Sequence, residues 1–159
     1  MTKEEKFKIL QQNILDAGFR IQASDDQRPW GGFFVIDENQ SGIFIQKYFP
    51  DAPKNQQKIS PKFLLVAPQK KLSWQYHHRR SEMWKVIDGR VGVVRSLNDS
   101  EGPMEILPTN TIITLQQGER HRLVGLDDWA VIAEIWIHTD PNNPSNEEDI
   151  VRVQDDFGR

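Results

Sequence analysis

The chain has 159 residues, 20 Lys and Arg against 23 Asp and Glu, a net charge of −3 and no cysteine. That length matches one ordinary domain able to bury a core without staples, and the missing thiols exclude disulfides and thiolate ligands, so a metal would have to be held by His, Asp, Glu or amide oxygen. Basic residues are scattered, with no footprint for nucleic acid or an anionic membrane, and no leader-like or long apolar segment is visible, which predicts a cytoplasmic protein.

Residues 1–18 predict an amphipathic helix. Phe7, Leu10, Ile14 and Leu15 recur at helical spacing, Thr2 and Glu5 read as a capping box, and Gly18 is the stop. From Pro29, Gly31 and Gly32 onward the texture changes. GFFVI, GIFIQKYF, KFLLVA, MWKVIDGRVGVVR, MEIL, TIITL, HRLVGL and WAVIAEIWI are short, rich in β-branched and aromatic residues, and separated by turn residues, which predicts strands. DGR at 88–90 lies between two apolar runs and predicts a hairpin turn. The polar, proline-bearing stretch 50–61 predicts a surface excursion rather than a linker. Glu147, Glu148 and Asp149 read as an exposed acidic run, and Trp74, Trp84, Trp129 and Trp136 as core or rim packing. Many short strands with little helix imply an all-β fold, an antiparallel sandwich or barrel with an N-terminal helix, forming a single domain over 1–159.

The stretch SWQYHHRRSEMWKVIDG, residues 73–89, carries the chemistry. On an extended segment side chains two apart share a face, so Gln75 and His77 project together while Tyr76 and His78 project the other way. Glu82 can return across a tight bend, and His121 opens a strand just after a glycine turn. Imidazole, carboxylate and amide oxygen together suit a borderline divalent ion, zinc first, with iron, manganese, cobalt or nickel as substitutes. A structural hydrogen-bond network among the same groups is the competing explanation. Glu134 sits mid-strand between Ala133 and Ile135, where a buried carboxylate would need a partner.

Gln75-x-His77, four residues to Glu82 and six more to Gly89 resembles the first cupin motif, and Gly118-x-x-His121 resembles the second. More narrowly, LSWQYHHRRSEMW, DGRVGV, GERHRL and EEDIVRVQDDFGR, with RPWGGFFVI near the start, resemble the cupin domain of type II mannose-6-phosphate isomerases. Coverage runs from about residue 28 to the end, which leaves only the helix 1–18 outside. The resemblance implies a jelly-roll β-barrel with Gln75, His77, Glu82 and His121 as metal ligands. It also implies Arg80 as a catalytic cation, and the segment around Arg152 and Arg159 as the phosphate site. The implied reaction is conversion of mannose 6-phosphate to fructose 6-phosphate through a cis-enediol, with homodimer pairing common among cupins. Nothing resembles a nucleotide-binding glycine loop, which predicts the isomerase half alone. His78 is a candidate base through its ordinary pKa near 6.5, and Glu134 a candidate for substrate binding. Arg79 and Met83 stand where the family usually has histidines. A metal-dependent cupin oxygenase and a non-catalytic sugar-binding or regulatory cupin are the alternatives.

Overall fold

The computed structural model describes residues 1–52 and 58–155; the middle of the 50–61 excursion, and Arg159, lie outside them. The first helix, α1 (Lys3–Asp16), begins where its sequence says: the Thr2 hydroxyl accepts from the Glu5 N–H at 3.1 Å and the Glu5 carboxylate accepts from the Thr2 N–H at 2.8 Å. Gly18, at φ +90°, takes the left-handed step that ends it. Leu10 and Ile14 are buried, Phe7 stacks on Phe34 at 4.3 Å, and Leu15 faces solvent.

Eleven strands follow among the described residues. They are β1 (Ile21–Arg28), β2 (Gly31–Ile36), β3 (Ile59–Val66), β4 (Trp74–Tyr76), β5 (Arg80–Asp88), β6 (Val91–Ser96), β7 (Glu105–Leu107), β8 (Ile112–Leu115), β9 (Arg120–Gly125), β10 (Ala130–His138) and β11 (Val151–Gln154). They form two antiparallel sheets, ordered β1-β2-β3-β10-β5-β8 and β11-β4-β9-β6-β7.

Two readings of the sequence are corrected, and one strand appears that the sequence pattern does not announce. GIFIQKYF is not a strand: Ser41–Tyr48 is a second helix, α2, because Phe44 and Tyr48, four apart, meet edge-to-face at 4.9 Å while Gly42, Gln46 and Lys47 face water. Its aromatic and β-branched composition points to strand, and tertiary burial of one helical face outweighs that preference. DGR does not close a hairpin, since β5 pairs with β10 and β8 whereas β6 pairs with β7 and β9. It is a corner between sheets, turned at Gly89 with φ +73°. The polar segment IQASDDQR forms β1, an edge strand with charges on a rim where little needs burying.

The larger sheet is covered on both faces, and its central strand shows this. All nine residues of β10 are buried. Val131, Ala133, Ile135 and Ile137 pack with Phe34, Phe44 and Phe63 beneath the two helices. Ala130 and Ile132 join Trp84, Val93 and Leu123 between the sheets. The same inner face carries Glu134, Trp136 and His138, so the apolar floor of the barrel becomes polar toward one end. No helix among the described residues is long and apolar enough to cross a membrane.

Phe63 is 1% exposed and touches Phe19, Phe44 and Tyr48. Phe63→Ala is expected to destabilise the fold by about 3–5 kcal/mol, read as a lower urea midpoint at unchanged slope. A loss below about 1 kcal/mol would show that the helices do not cover this face.

Candidate metal centre

His77, Glu82 and His121 come from three places in the chain. His77 follows β4, Glu82 is the third residue of β5, and His121 is the second of β9, where its Cα partners that of Gln75. All three are buried, and one ligand atom from each lies within 4.8 Å of the others.

The hydrogen bonds fix which nitrogens face inward. His77 Nδ1 is 2.7 Å from the Asp149 carbonyl, and His121 Nδ1 is 3.0 Å from the Glu119 carbonyl. A carbonyl only accepts, so each Nδ1 carries the hydrogen and each Nε2 presents a lone pair. Both Nε2 atoms lie beside Glu82, at 3.4 Å for His77, whose lone pair accepts from Arg80 Nη2, and at 3.6 Å for His121. His121 Nε2 is buried without a hydrogen-bond partner. An orphaned buried acceptor is costly in a metal-free network and is what a borderline divalent cation would satisfy. The donor set therefore fits such an ion, without fixing its identity.

Electrostatics favour the ligand forms. Burial lowers the His77 pKa to about 4, with Glu82 opposing and Arg80 and His121 reinforcing, and burial lowers His121 as well. Both rings are neutral near pH 7. Burial alone would raise Glu82, but the Arg80 guanidinium and the two imidazoles outweigh it and hold the carboxyl at about 2. Arg80 is 5% exposed, not a solvated turn residue. Its Nε donates to Glu82 at 2.8 Å, Nη1 to the Ser145 hydroxyl and the Asn146 carbonyl, and Nη2 to His77 Nε2 at 3.2 Å, with the fork 3.6 Å above the Trp136 ring.

A cavity of about 140 Å³ opens beside this group, lined by Gln75, Arg80, Glu82, Trp84, Glu134 and Trp136 and rimmed by Arg28, Lys62, Glu147 and Arg152. Glu134 is clamped by two indoles, Trp136 Nε1 to Oε1 and Trp84 Nε1 to Oε2, both at 2.8 Å. Burial, then the charge of Glu82, pushes its pKa up to about 8. Gln75 lies on the inner side with His77, but its Nε2 faces the imidazole at 3.4 Å while Oε1 accepts from Ser73. Exchanging the two ends of the amide would present the oxygen instead.

His78 is not brought to the cavity. Its side chain is exposed, with its ring against Tyr76 at 5.4 Å. Arg152 lines the rim, its Cα opposite that of Gln75. The acidic run is corrected at one position: Glu147 and Glu148 are exposed as expected, Glu147 also reaching the cavity, whereas Asp149 is buried. The Asp149 carboxylate accepts from the His78 and Arg79 N–H groups and from the Ser145 hydroxyl, and these bonds keep its pKa low against the opposing effect of burial. Sequence reasoning misses Lys62 and Asp149. Lys62 carries one signal, a lone charge inside an apolar run.

Comparison with known proteins agrees with this architecture. The family model described as "Mannose-6-phosphate isomerase C-terminal" matches residues 20–155. The xanthan biosynthesis protein XanB of Xanthomonas campestris is 29% identical over 132 residues, 83% of this chain and 23% of its own length. Mannose-1-phosphate guanylyltransferase ManC of Salmonella typhimurium is 28% identical over 132 residues, 83% of this chain and 22% of its own length. The chain thus spans less than a quarter of the length of these relatives. Among solved structures, a mutant of Bacillus subtilis oxalate decarboxylase OxdC aligns with TM-score 0.58 at 9% identity, over 86% of this chain and 30% of that one. KdgF from Halomonas sp. aligns at 0.54 and 10% identity, over 80% and 92%. These likenesses show the fold, a cupin jelly roll.

His121→Ala is expected to drop retained divalent metal, measured by elemental mass spectrometry, from about one ion per chain to background. An unchanged content would remove this residue from the centre. In the chelated protein, stability has two pH limbs. The buried imidazoles prefer the neutral form, so the unfolded chain binds more protons below about 6.5, and stability falls as pH drops from there toward 4. Folded Glu134 keeps a proton that the unfolded carboxyl releases, so its contribution is full below pH 4.5 and lost as pH rises through about 8. Glu134→Gln is expected to flatten the alkaline limb, on the order of 2 kcal/mol between pH 6.5 and 8 by denaturant titration. An identical limb in the variant would mean that Glu134 is already ionised.

Proposed function

The chain belongs to the mannose-6-phosphate isomerase C-terminal family, and from that premise we propose that it is a metal-dependent aldose–ketose isomerase of a phosphorylated sugar, interconverting mannose 6-phosphate and fructose 6-phosphate. The observation that carries this reading is the convergence of two imidazole lone pairs on an ionised carboxylate beside a cavity that also holds a buried arginine and a proton-bearing carboxyl. The barrel and the helix before it act as one domain in this reading.

Isomerisation moves a proton from C2 of the aldose to C1 while charge builds on the neighbouring oxygens of a cis-enediol. A divalent ion held by His77, Glu82 and His121, with the Gln75 amide oxygen turned inward, would supply Lewis-acid stabilisation of that charge. Arg80 is preorganised to stabilise the same charge, because Glu82, Ser145 and Trp136 lock its fork before substrate arrives and little reorganisation remains. Glu134, rather than His78, is the group that takes and returns the proton, and it does so in its ionised form, which a divalent ion beside it would favour over the protonated form of the metal-free cavity. A carboxyl whose pKa lies near 8 exchanges a proton readily near neutrality, and the two indole N–H groups hold it in place. The phosphate lies toward the rim, where Arg152 stands.

Met83 bears on the non-catalytic alternative, because it replaces a histidine that the family usually carries. Its side chain packs with the outer cluster beneath the helices, on the face opposite Glu82. The substitution leaves the cavity untouched, which favours turnover over mere binding.

In a coupled assay the purified chain is expected to convert mannose 6-phosphate, to lose that activity on chelation, and to regain it when zinc or another divalent ion returns. Activity indifferent to chelation would overturn the mechanism, and stoichiometric metal without turnover would overturn the isomerase reading.

A further inference from the structure

The cavity holds a cation that the steps above leave unused. Lys62 on β3 is 6% exposed, and its Cα lies opposite that of Glu134. Its Nζ sits 4.3 Å from the ring centres of both Phe33 and Trp136. A buried ammonium needs a paired charge, and this one is paired with Glu147 Oε1 at 2.5 Å. Glu147 differs from Lys62 in its attachment. Its side chain is 54% exposed, and it belongs to the stretch between β10 and β11, outside the sheets, so it enters the cavity from the rim.

The surroundings favour an anion at that spot. Arg28 places its guanidinium 5.4 Å from the same Phe33 ring, and the Arg152 side chain lines the cavity with no hydrogen bond or ion pair among the described residues. Arg28, Lys62, Arg80 and Arg152 face Glu82, Glu134 and Glu147, with Asp25 paired to Arg28 at 3.1 Å from outside the lining, so the cavity carries at least as many positive as negative charges and becomes clearly cationic once a divalent ion binds. A single half-exposed carboxylate is a weak occupant of such a place.

We propose that Lys62 is the phosphate-binding cation of the cavity, and that Glu147 occupies its anion position until a phosphate monoester displaces it. This rests on the sugar-phosphate reading above and deepens it. The ammonium has three N–H donors and Glu147 uses one acceptor oxygen, whereas a phosphate monoester offers three terminal oxygens and up to two charges. The two aromatic faces keep the ammonium in place during the exchange. Release of Glu147 would free the rim, and Arg152 stands beside it to join the same anion, whereas Arg28 is already paired with Asp25.

Isothermal titration of the metal-loaded full chain with mannose 6-phosphate, inorganic phosphate and mannose tests this. Lys62→Met, which keeps the length of the side chain between the two rings, is expected to weaken mannose 6-phosphate and inorganic phosphate by about tenfold or more and to leave mannose unchanged. Glu147→Gln, at a half-exposed rim position that does not threaten folding, is expected to tighten both phosphates by about threefold or more. Phosphate affinity equal to wild type in Lys62→Met, or not tightened in Glu147→Gln, overturns the proposal. Phosphate binding that follows both substitutions in a chain without isomerase turnover supports it while sinking the proposed reaction, so the two failures are distinguishable.

Discussion

Two backbone carbonyls decide what the middle of this barrel can do. Asp149 and Glu119 each take the Nδ1 hydrogen of a buried imidazole, which turns both Nε2 acceptors toward Glu82, the one on His77 meeting Arg80 Nη2 and the one on His121 left without a donor. With either ring in the other tautomer, that ring would present a hydrogen instead, and the cluster would close into an ordinary polar network. In the arrangement observed, desolvation keeps both rings neutral and Arg80 keeps Glu82 charged, the protonation states that metal ligands require.

The segment between β10 and β11 is therefore a structural part of the site. Asp149 binds His77 through its carbonyl and the backbone of His78 and Arg79 through its carboxylate, while Ser145 and Asn146 hold the Arg80 fork. One short stretch thus orients a candidate ligand and the principal cation of the cavity, and it delivers Glu147 to Lys62. Opposed shifts complete the electrostatics: neighbouring carboxyls on β5 and β10 part company, Glu82 ionised and Glu134 protonated, because only Glu82 has a guanidinium directly on it.

Much of this is legible in the chain. The capping box of α1, most of the inner strands and the grouping of His77, Glu82 and His121 follow from local periodicity and from two motif spacings. What is not legible depends on burial. Ser41–Tyr48 looks like a strand until Phe44 and Tyr48 are seen to share one helical face. Asp88–Arg90 looks like a hairpin because local turn chemistry is blind to which sheet each flanking strand joins. Asp149 reads as a surface acid, since a run of carboxylates is normally solvated, and only its partners some 71 residues away reveal its burial, while Glu147 is exposed as the run suggests but has a partner in Lys62, 85 residues away, that no local pattern shows. Glu134 stands out in the sequence as an oddity within an apolar strand. Its role becomes visible only with Trp84 and Trp136 on either side.

X-ray absorption at the metal edge of the reconstituted protein reads the central geometry directly. A first shell of nitrogen and oxygen at about 2.0–2.2 Å with the multiple scattering of two imidazoles is expected. A shell of oxygen alone, with no imidazole signature, would contradict it.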